Sequence, residues 1–243
     1  VILLRAVAVV LSGVLTPTIL SCYAREQTGT LIRIAKSAVK LMGLALALPI
    51  GLICGFAPDL LAAWVGGEYV FLAPLIVLLT VHLAVNLAVL PLFSISVAYN
   101  RVRVPGLVTF LMGIGNFGLA VALPLLTGLG YYGVAAAGAI VLTLKNAVFT
   151  PWYAARVLGI GARTFTRSML PGIIATALVG FSAAALGAAL PLPALATLAV
   201  AGGAITLVYP ATVWTFGLDG FERGLFESYL PPALRKIFGN HPS

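Results

Sequence analysis

The sequence predicts an all-α membrane protein, a polytopic helix bundle with about seven transmembrane helices. One reason is composition, since 61% of the 243 residues are hydrophobic and only 8% are charged, with a mean hydropathy of +1.13. A soluble domain carries roughly 25% charged residues, so these polar side chains are too few to cover a surface in water. The other reason is that the apolar residues form seven runs, each long enough to cross a hydrocarbon core roughly 30 Å thick.

The seven runs are separated by short connections that favour turns or carry charge. In chain order the runs cover about Val1–Cys22, Val39–Trp64, Val70–Ala98, Leu107–Leu126, Val134–Tyr153, Met169–Leu190 and Ala194–Phe216. "YAREQTGTLIRIAK" and "ARVLGIGARTFTRS" are polar and basic connections, whereas "WVGGEY", "YNRVRVPG", "TGLGYYG" and "PLP" are rich in turn residues. In the polar tail after the last run we expect a short amphipathic helix and a basic end at the membrane surface.

Basic residues occur in every second connection. All but two of the 14 Lys and Arg residues lie in the first, third and fifth connections and in the tail: Arg25, Arg33, Lys36, Lys40, Arg101, Arg103, Arg156, Arg163, Arg167, Arg223, Arg235 and Lys236. Lys and Arg concentrate on the cytoplasmic side of membrane proteins. The pattern therefore predicts a cytoplasmic C-terminus and a first span that enters from outside. It also accounts for the net charge of +8 without a nucleic-acid partner.

The two remaining basic residues, Arg5 and Lys145, fall inside apolar runs. A charge at the bilayer centre costs roughly 2.5–3.5 kcal/mol on insertion scales, which makes such residues candidates for function. Snorkelling toward the membrane surface is the alternative for both side chains.

Uncharged polar side chains also lie within the third, fourth and fifth runs. They are His82, Asn86, Asn116 and Asn146, and a helix would place His82 and Asn86 on one face. We expect these groups, with Arg5 and Lys145, to line a hydrated cavity that receives a polar substrate. The alternative is that they only link helices by hydrogen bonds, each worth about 0.6 kcal/mol.

Motifs for enzyme chemistry are missing from the sequence. It has no HExxH, no GxSxG, no Walker-type loop and no paired carboxylates, so we expect no enzyme activity, no metal and no cofactor. Glycine-rich segments such as "GIGNFG", from Gly113 to Gly118, instead favour close packing of helices. Prolines within or at the ends of spans, Pro91 among them, predict kinks.

Two stretches resemble a known family. They are "PTILSCYAREQTGTLIRIAKSAVKLMGLALALPIGLICGFAPDLLAAWVGGEYVFLAPLI" and "AYNRVRVPGLVTFLMGIGNFGLAVALPLLTGLGYYGVAAAGAIVLTLKNAVFTPWYAARVLGI". In order and spacing they are similar to the polysaccharide flippases of the multidrug/oligosaccharidyl-lipid/polysaccharide exporter superfamily. Family features matched are a Pro-Thr span end before a basic loop and a basic turn with Pro before an Asn-bearing span. The resemblance covers about residues 12–160.

The resemblance implies a division of the chain and a partner for it. Residues 1–160 would form five spans of the C-terminal lobe, residues 161–217 an appended helix pair, and residues 218–243 a cytoplasmic tail. The chain begins at Val1 inside an apolar run, so we expect it to be the C-terminal half of a longer protein whose N-terminal lobe is missing. The expected location is the cytoplasmic membrane of a prokaryote.

The resemblance also implies a substrate, a polyprenyl-pyrophosphate-linked sugar that the whole protein would flip across the membrane lipid. Lys145 and Arg5 would hold the pyrophosphate, and His82, Asn86 and Asn116 would contact sugar hydroxyls.

Three other functions stay open. A cation-coupled multidrug exporter of the same superfamily would need an intramembrane carboxylate, and the nearest candidate, Asp59, lies close to the outer surface. A membrane-embedded glycosyl- or acyltransferase would need a catalytic Asp, Glu or His at a membrane face and a sizeable donor-binding loop, and the outer connections are short. The chain could also be a non-catalytic membrane partner.

Overall fold

The computed structural model describes residues 1–229, and every regular element in this range is a helix. The α-helices are α1 (Ile2–Ala24), α2 (Thr28–Gly55), α3 (Ala57–Trp64), α4 (Ala73–Val81), α5 (Leu83–Asn86), α6 (Pro91–Ala98), α7 (Arg103–Thr127), α8 (Tyr131–Leu144), α9 (Thr150–Val157), α10 (Arg163–Ala189), α11 (Ala194–Thr212) and α12 (Gly220–Tyr229). A 3₁₀ helix covers Gly67–Leu72, and π-helical turns cover Lys145–Phe149 and Val213–Gly217.

Seven helical stretches of the described chain are long and apolar enough to cross a membrane. They are Ile2–Ala24, Thr28–Gly55, Gly67–Asn86, Arg103–Thr127, Tyr131–Val157, Arg163–Ala189 and Ala194–Gly217. The predicted all-α bundle of about seven spans is therefore confirmed. Below, the spans are numbered one to seven in this order. Helix α6 is described together with the third span, because it continues the same apolar run.

The second span differs most from its predicted bounds. The basic stretch expected to be a loop is helical, because α2 begins at Thr28 and carries Arg33, Lys36 and Lys40. At about 1.5 Å per residue this helix is about 42 Å long, which exceeds a hydrocarbon core of roughly 30 Å. Its basic turns thus extend beyond the apolar core. The helix also ends earlier than predicted, at Gly55, and the short helix α3 follows with a proline in its first turn.

The closest helix contact lies between α2 and α10, where glycine faces glycine. A Cβ built at Gly172 would lie 2.7 Å from the Cα of Gly43, so neither position has room for a side chain. Two turns further along α2, a Cβ built at Gly51 would lie 2.6 Å from the Val179 side chain of α10. Residues 161–217, predicted as an appended pair, therefore begin with a helix packed tightly on α2, and the division into lobe and pair stays a prediction.

The ends of spans one, three and five meet the start of span four at one end of the bundle. The rings of Tyr23 and Tyr99 have centroids 4.6 Å apart. The hydroxyl of Tyr153 donates a hydrogen bond to the carbonyl oxygen of Arg101 at 3.0 Å. We call this the basic end, because the first, third and fifth connections lie there. Which side of the membrane it faces stays a prediction.

Helix α12 docks on α2. Lys40 Nζ lies 2.6 Å from Glu222 Oε2, and the Arg33 guanidinium lies 3.9 Å from the ring centroid of Phe221. Glu222 also caps the helix start, because its Oε2 accepts from the N–H of Asp219 while its own N–H donates to Asp219 Oδ1. A helix in the tail is therefore confirmed for Gly220–Tyr229. The predicted basic end, Arg235 and Lys236, lies outside the described residues.

Helix α7 lies at the outside of the bundle. Among its described residues only Pro105 is buried. A Cβ built at Gly113, Gly115 or Gly118 would have no described atom within 4 Å beyond its chain neighbours and the nearby backbone of its own helix. The glycines of "GIGNFG", which we expected to pack closely, thus have no neighbouring helix within contact distance among the described residues.

Candidate functional site

The third span is interrupted after His82 and Asn86. Pro91 has no N–H and cannot donate to the carbonyl oxygen of Leu87, which instead accepts from the N–H of Leu90 at 3.2 Å. The N–H of Phe93 likewise bonds three residues back, to Leu90 at 3.1 Å. The regular helix gives way to tight turns at this point, and α6 resumes the run. The regular backbone hydrogen bonding is thus interrupted at Pro91, and the kink that this proline permits stays a prediction.

The fifth span widens at Lys145. Lys145–Phe149 is a π-helical turn, and the N–H of Thr150 donates to the carbonyl oxygen of Lys145, five residues back. Pro151 follows and cannot donate to Ala147, so the ordinary hydrogen-bond pattern cannot continue there. Such turns inside helices occur frequently at functional sites.

A chain of hydrogen bonds joins these two irregular segments. Asn146 Nδ2 donates to Asn86 Oδ1 at 3.2 Å, and Asn86 Nδ2 donates to His82 Nδ1 at 2.6 Å. Thr150 Oγ1 donates to Asn146 Oδ1 at 3.2 Å. Because an amide nitrogen only donates, His82 Nδ1 accepts, which places the proton of a neutral ring on Nε2. The predicted shared face of His82 and Asn86 is confirmed.

Lys145 lies beside this network and is only 8% exposed. Its Nζ is 5.3 Å from the ring centroid of Phe93, a cation–π distance. The sequence contains no Asp or Glu between Glu68 and Asp219. Among the described side chains the one ion pair joins Lys40 and Glu222, so no described carboxylate balances the charge of Lys145. The site therefore holds a buried cation without a described carboxylate partner.

The structure separates the other two predicted residues. Arg5 is exposed on α1 and belongs to none of the hydrogen bonds of this network. Asn116 lies on α7 against Gly138 of α8, where its Oδ1 is buried and has no hydrogen-bond partner among the described residues. Asn116 thus stands apart from the hydrogen-bond network.

For Asn86 and Asn146, the contacts match the alternative that the polar side chains link helices by hydrogen bonds. Asn86 and Asn146 are 6% and 7% exposed, and they link two spans. Whether any of the six predicted residues contacts a substrate stays a prediction.

Thr150 and Phe93 belong to the site but were not predicted. A signal for the site is present in the sequence, because each of the two linked asparagines stands five residues before a proline. The segments are "NLAVLP" from Asn86 to Pro91 and "NAVFTP" from Asn146 to Pro151. In both spans a polar side chain therefore lies within about a turn of a backbone irregularity.

The chain is similar to a known membrane protein. It is 40% identical over 169 residues to the uncharacterized membrane protein EpsK of Bacillus subtilis (strain 168). The match covers 70% of this chain and 34% of that protein, so the chain spans about a third of the length of its relative. No family model matches the chain, and no solved structure matches it.

This similarity agrees with the seven apolar helices. The chain is a multi-pass membrane protein.

Proposed function

We propose that the whole protein flips a lipid-linked anionic sugar across the cytoplasmic membrane, and that this chain supplies one of two lobes. The observation that carries the proposal is Lys145, a cation buried within a span without a described carboxylate partner. Burying a lone charge is unfavourable, so a lysine at this position favours a role toward a ligand. A pyrophosphate group would supply the missing negative charge through charge-assisted hydrogen bonds.

The neighbouring residues have distinct roles in this proposal. Arg5 is the second cation for the pyrophosphate, and His82 donates from Nε2 to a sugar hydroxyl. Asn86 and Asn146 orient His82 and hold the π-helical turn that begins at Lys145. Asn116, whose Oδ1 has no described hydrogen-bond partner, accepts from a hydroxyl of the sugar.

Transport also fits the backbone of the site. The tight turns before Pro91 and the π-helical turn before Pro151 interrupt two neighbouring spans at the level of the hydrogen-bond network. Broken spans allow two halves of a transporter to rock about a central site. The protein in this proposal is a transporter and not an enzyme, its C-terminus is cytoplasmic, and the cavity closes only against an N-terminal lobe.

The test is a flipping assay on the whole protein in liposomes loaded with a polyprenyl-pyrophosphate-linked sugar. Lys145→Gln removes a charge-assisted contact worth roughly 1.5–3 kcal/mol, so we expect flipping to slow by about ten- to a hundredfold. Lys145→Arg keeps the charge and should retain more activity. Lys36→Gln, which changes an exposed lysine on α2, is the matched control.

A stability measurement separates loss of function from misfolding. Because Lys145 has no described carboxylate partner, its neutralisation should leave the unfolding temperature in detergent unchanged or raise it. The proposal would be contradicted if Lys145→Gln flipped the sugar lipid at the wild-type rate. It would also be contradicted if this variant bound the sugar lipid with the wild-type affinity.

A further inference from the structure

A cationic pocket opens at the basic end, between the connection after α6, the start of α7 and the end of α9. It has a volume of about 450 Å³ and is lined by Arg101, Trp152, Tyr153 and Arg156, together with two valines. It does not include Lys145. From Lys145 to Arg156 the chain advances 11 residues, about 16 Å along a helix. The pocket is therefore a separate feature from the site in the spans.

Two arginines line this pocket without a described carboxylate to balance their charges. Arg101 and Arg156 both lie in the long stretch between Glu68 and Asp219 that contains no acidic residue. The ion pair of the described chain, Lys40 with Glu222, lies elsewhere. Arginine forks bind phosphate oxygens in pairs, so two of them at one pocket favour a phosphate group.

Helix α7 adds positive potential at the same place. It begins at Arg103, its N-cap residue Val102 makes no side-chain cap, and its first turn has no acidic residue. Val104, in that first turn, lines the pocket. The free N–H groups and the positive end of the helix dipole favour an anion here.

Aromatic side chains fix the shape of the pocket and its depth in the membrane. Tyr153 holds the connection by donating to the Arg101 carbonyl oxygen, and its ring stacks on Phe149 with centroids 5.4 Å apart. The Arg156 guanidinium lies 5.4 Å from the Trp152 ring centroid. Trp and Tyr are enriched at the level of lipid headgroups, and basic pockets between spanning helices bind anionic headgroups.

The lipid-facing side next to the pocket is apolar. Leu107, Phe110 and Leu111 follow on α7, and all three are exposed in the described chain. A molecule with a phosphate head and hydrocarbon tails can contact the cationic pocket and the apolar face of α7 at once. A free anion contacts only the pocket.

We propose that this pocket binds the phosphodiester headgroup of an anionic phospholipid, with its acyl chains along the outer face of α7. Arg101 and Arg156 hold the phosphate, and Trp152 shields it from water. This site is independent of the proposed transport function, because it uses none of the residues assigned to the substrate.

The test measures lipid retention by the whole protein in detergent. Native mass spectrometry during titration with phosphatidylglycerol or phosphatidylcholine gives an affinity for each. Wild-type protein should prefer phosphatidylglycerol. Arg101→Gln and Arg156→Gln should each weaken its binding about tenfold, and the double variant should bind both lipids equally. Arg163→Gln, an exposed arginine at the same end that does not line the pocket, should behave as wild type.

Three results would overturn the proposal. One is an unchanged phosphatidylglycerol preference in the double variant. Another is an equal loss in Arg163→Gln, which would indicate a diffuse charge effect. The third is displacement of phosphatidylglycerol by an equal concentration of free glycerol 3-phosphate, which would identify a soluble phosphate as the ligand. If a glutamine variant fails to fold, Arg156→Lys replaces it, and a loss of about threefold is then expected because the paired hydrogen bonds are lost and the charge stays.

Discussion

Asn146 on the fifth span donates a hydrogen bond to Asn86 on the third span, across 3.2 Å and 60 positions of sequence. Asn86 stands just before the tight turns at Pro91, and Asn146 lies within the π-helical turn that precedes Pro151. The bond therefore ties together the two places where the spanning helices are least regular. It fixes how the third and fifth spans face each other, and it positions His82 and Lys145 beside them.

We predict that Asn86 and Asn146 are energetically coupled. Alanine at either position should lower the free energy of unfolding by about 0.6–1.7 kcal/mol, the range for hydrogen bonds between spanning helices. The double variant should lose less than the sum, because the same bond is removed only once. The measurement is unfolding of the whole protein by dodecyl sulfate in mixed micelles.

The control for this cycle is Asn116→Ala. Its Oδ1 accepts no hydrogen bond among the described residues, so the change should be close to neutral. Strictly additive losses for Asn86 and Asn146 would show that the bond does not form in the membrane.

The sequence allowed the spans to be predicted but not their interruptions. Hydropathy reports which residues lie in hydrocarbon, and seven runs followed from it directly. It does not report helix ends, so the basic turns of α2 with Arg33 and Lys36 were expected to be a loop. The apolar residues spaced between those charges continue the buried face of α2, and the packing of that face extends the helix to Thr28.

Part of the site was also open to prediction. Four-residue spacing placed His82 and Asn86 together, and their side chains are hydrogen-bonded. The partner of Asn86 could not be predicted, because one sequence does not say which spans face each other. Thr150 follows Asn146 by four residues, the spacing that places two side chains on one helix face, and its hydroxyl donates to Asn146 Oδ1.

Adding even one methyl group at Gly172 should lower the stability of the protein. In Gly172→Ala the new Cβ would meet the backbone of Gly43, so α2 and α10 must separate. Overpacking of this kind costs about 1–3 kcal/mol, which we expect as a lower unfolding temperature of the whole protein in detergent.

The matched substitution is Gly113→Ala on α7, where no described atom lies within 4 Å of the new group. Alanine favours a helix over glycine by roughly 0.8–1.0 kcal/mol, so this variant should be unchanged or slightly more stable. Equal stability of Gly172→Ala and wild type would show that the two helices are further apart than in the structure.

The ion pair between Lys40 and Glu222 should hold α12 against α2. Glu222 is 1% exposed, whereas Lys40 is partly exposed. Removing the charge of Glu222 therefore leaves the Lys40 ammonium group without its carboxylate but still in contact with some solvent. We expect Glu222→Gln to weaken the docking of α12 by about 1–3 kcal/mol, below the 3–5 kcal/mol of a fully buried pair. Glutamine can still accept from the Asp219 N–H, so the helix cap is kept and the effect reports the charge.

The measurement is amide hydrogen exchange of residues 220–229, which should quicken by about ten- to a hundredfold. Lys40→Met should produce a similar change, and adding it to Glu222→Gln should cost little more. Lys36→Gln, an exposed lysine on the same helix, should leave the exchange as it is. Unaltered exchange in both Glu222→Gln and Lys40→Met would mean that Phe221 under Arg33, and not the ion pair, docks the helix.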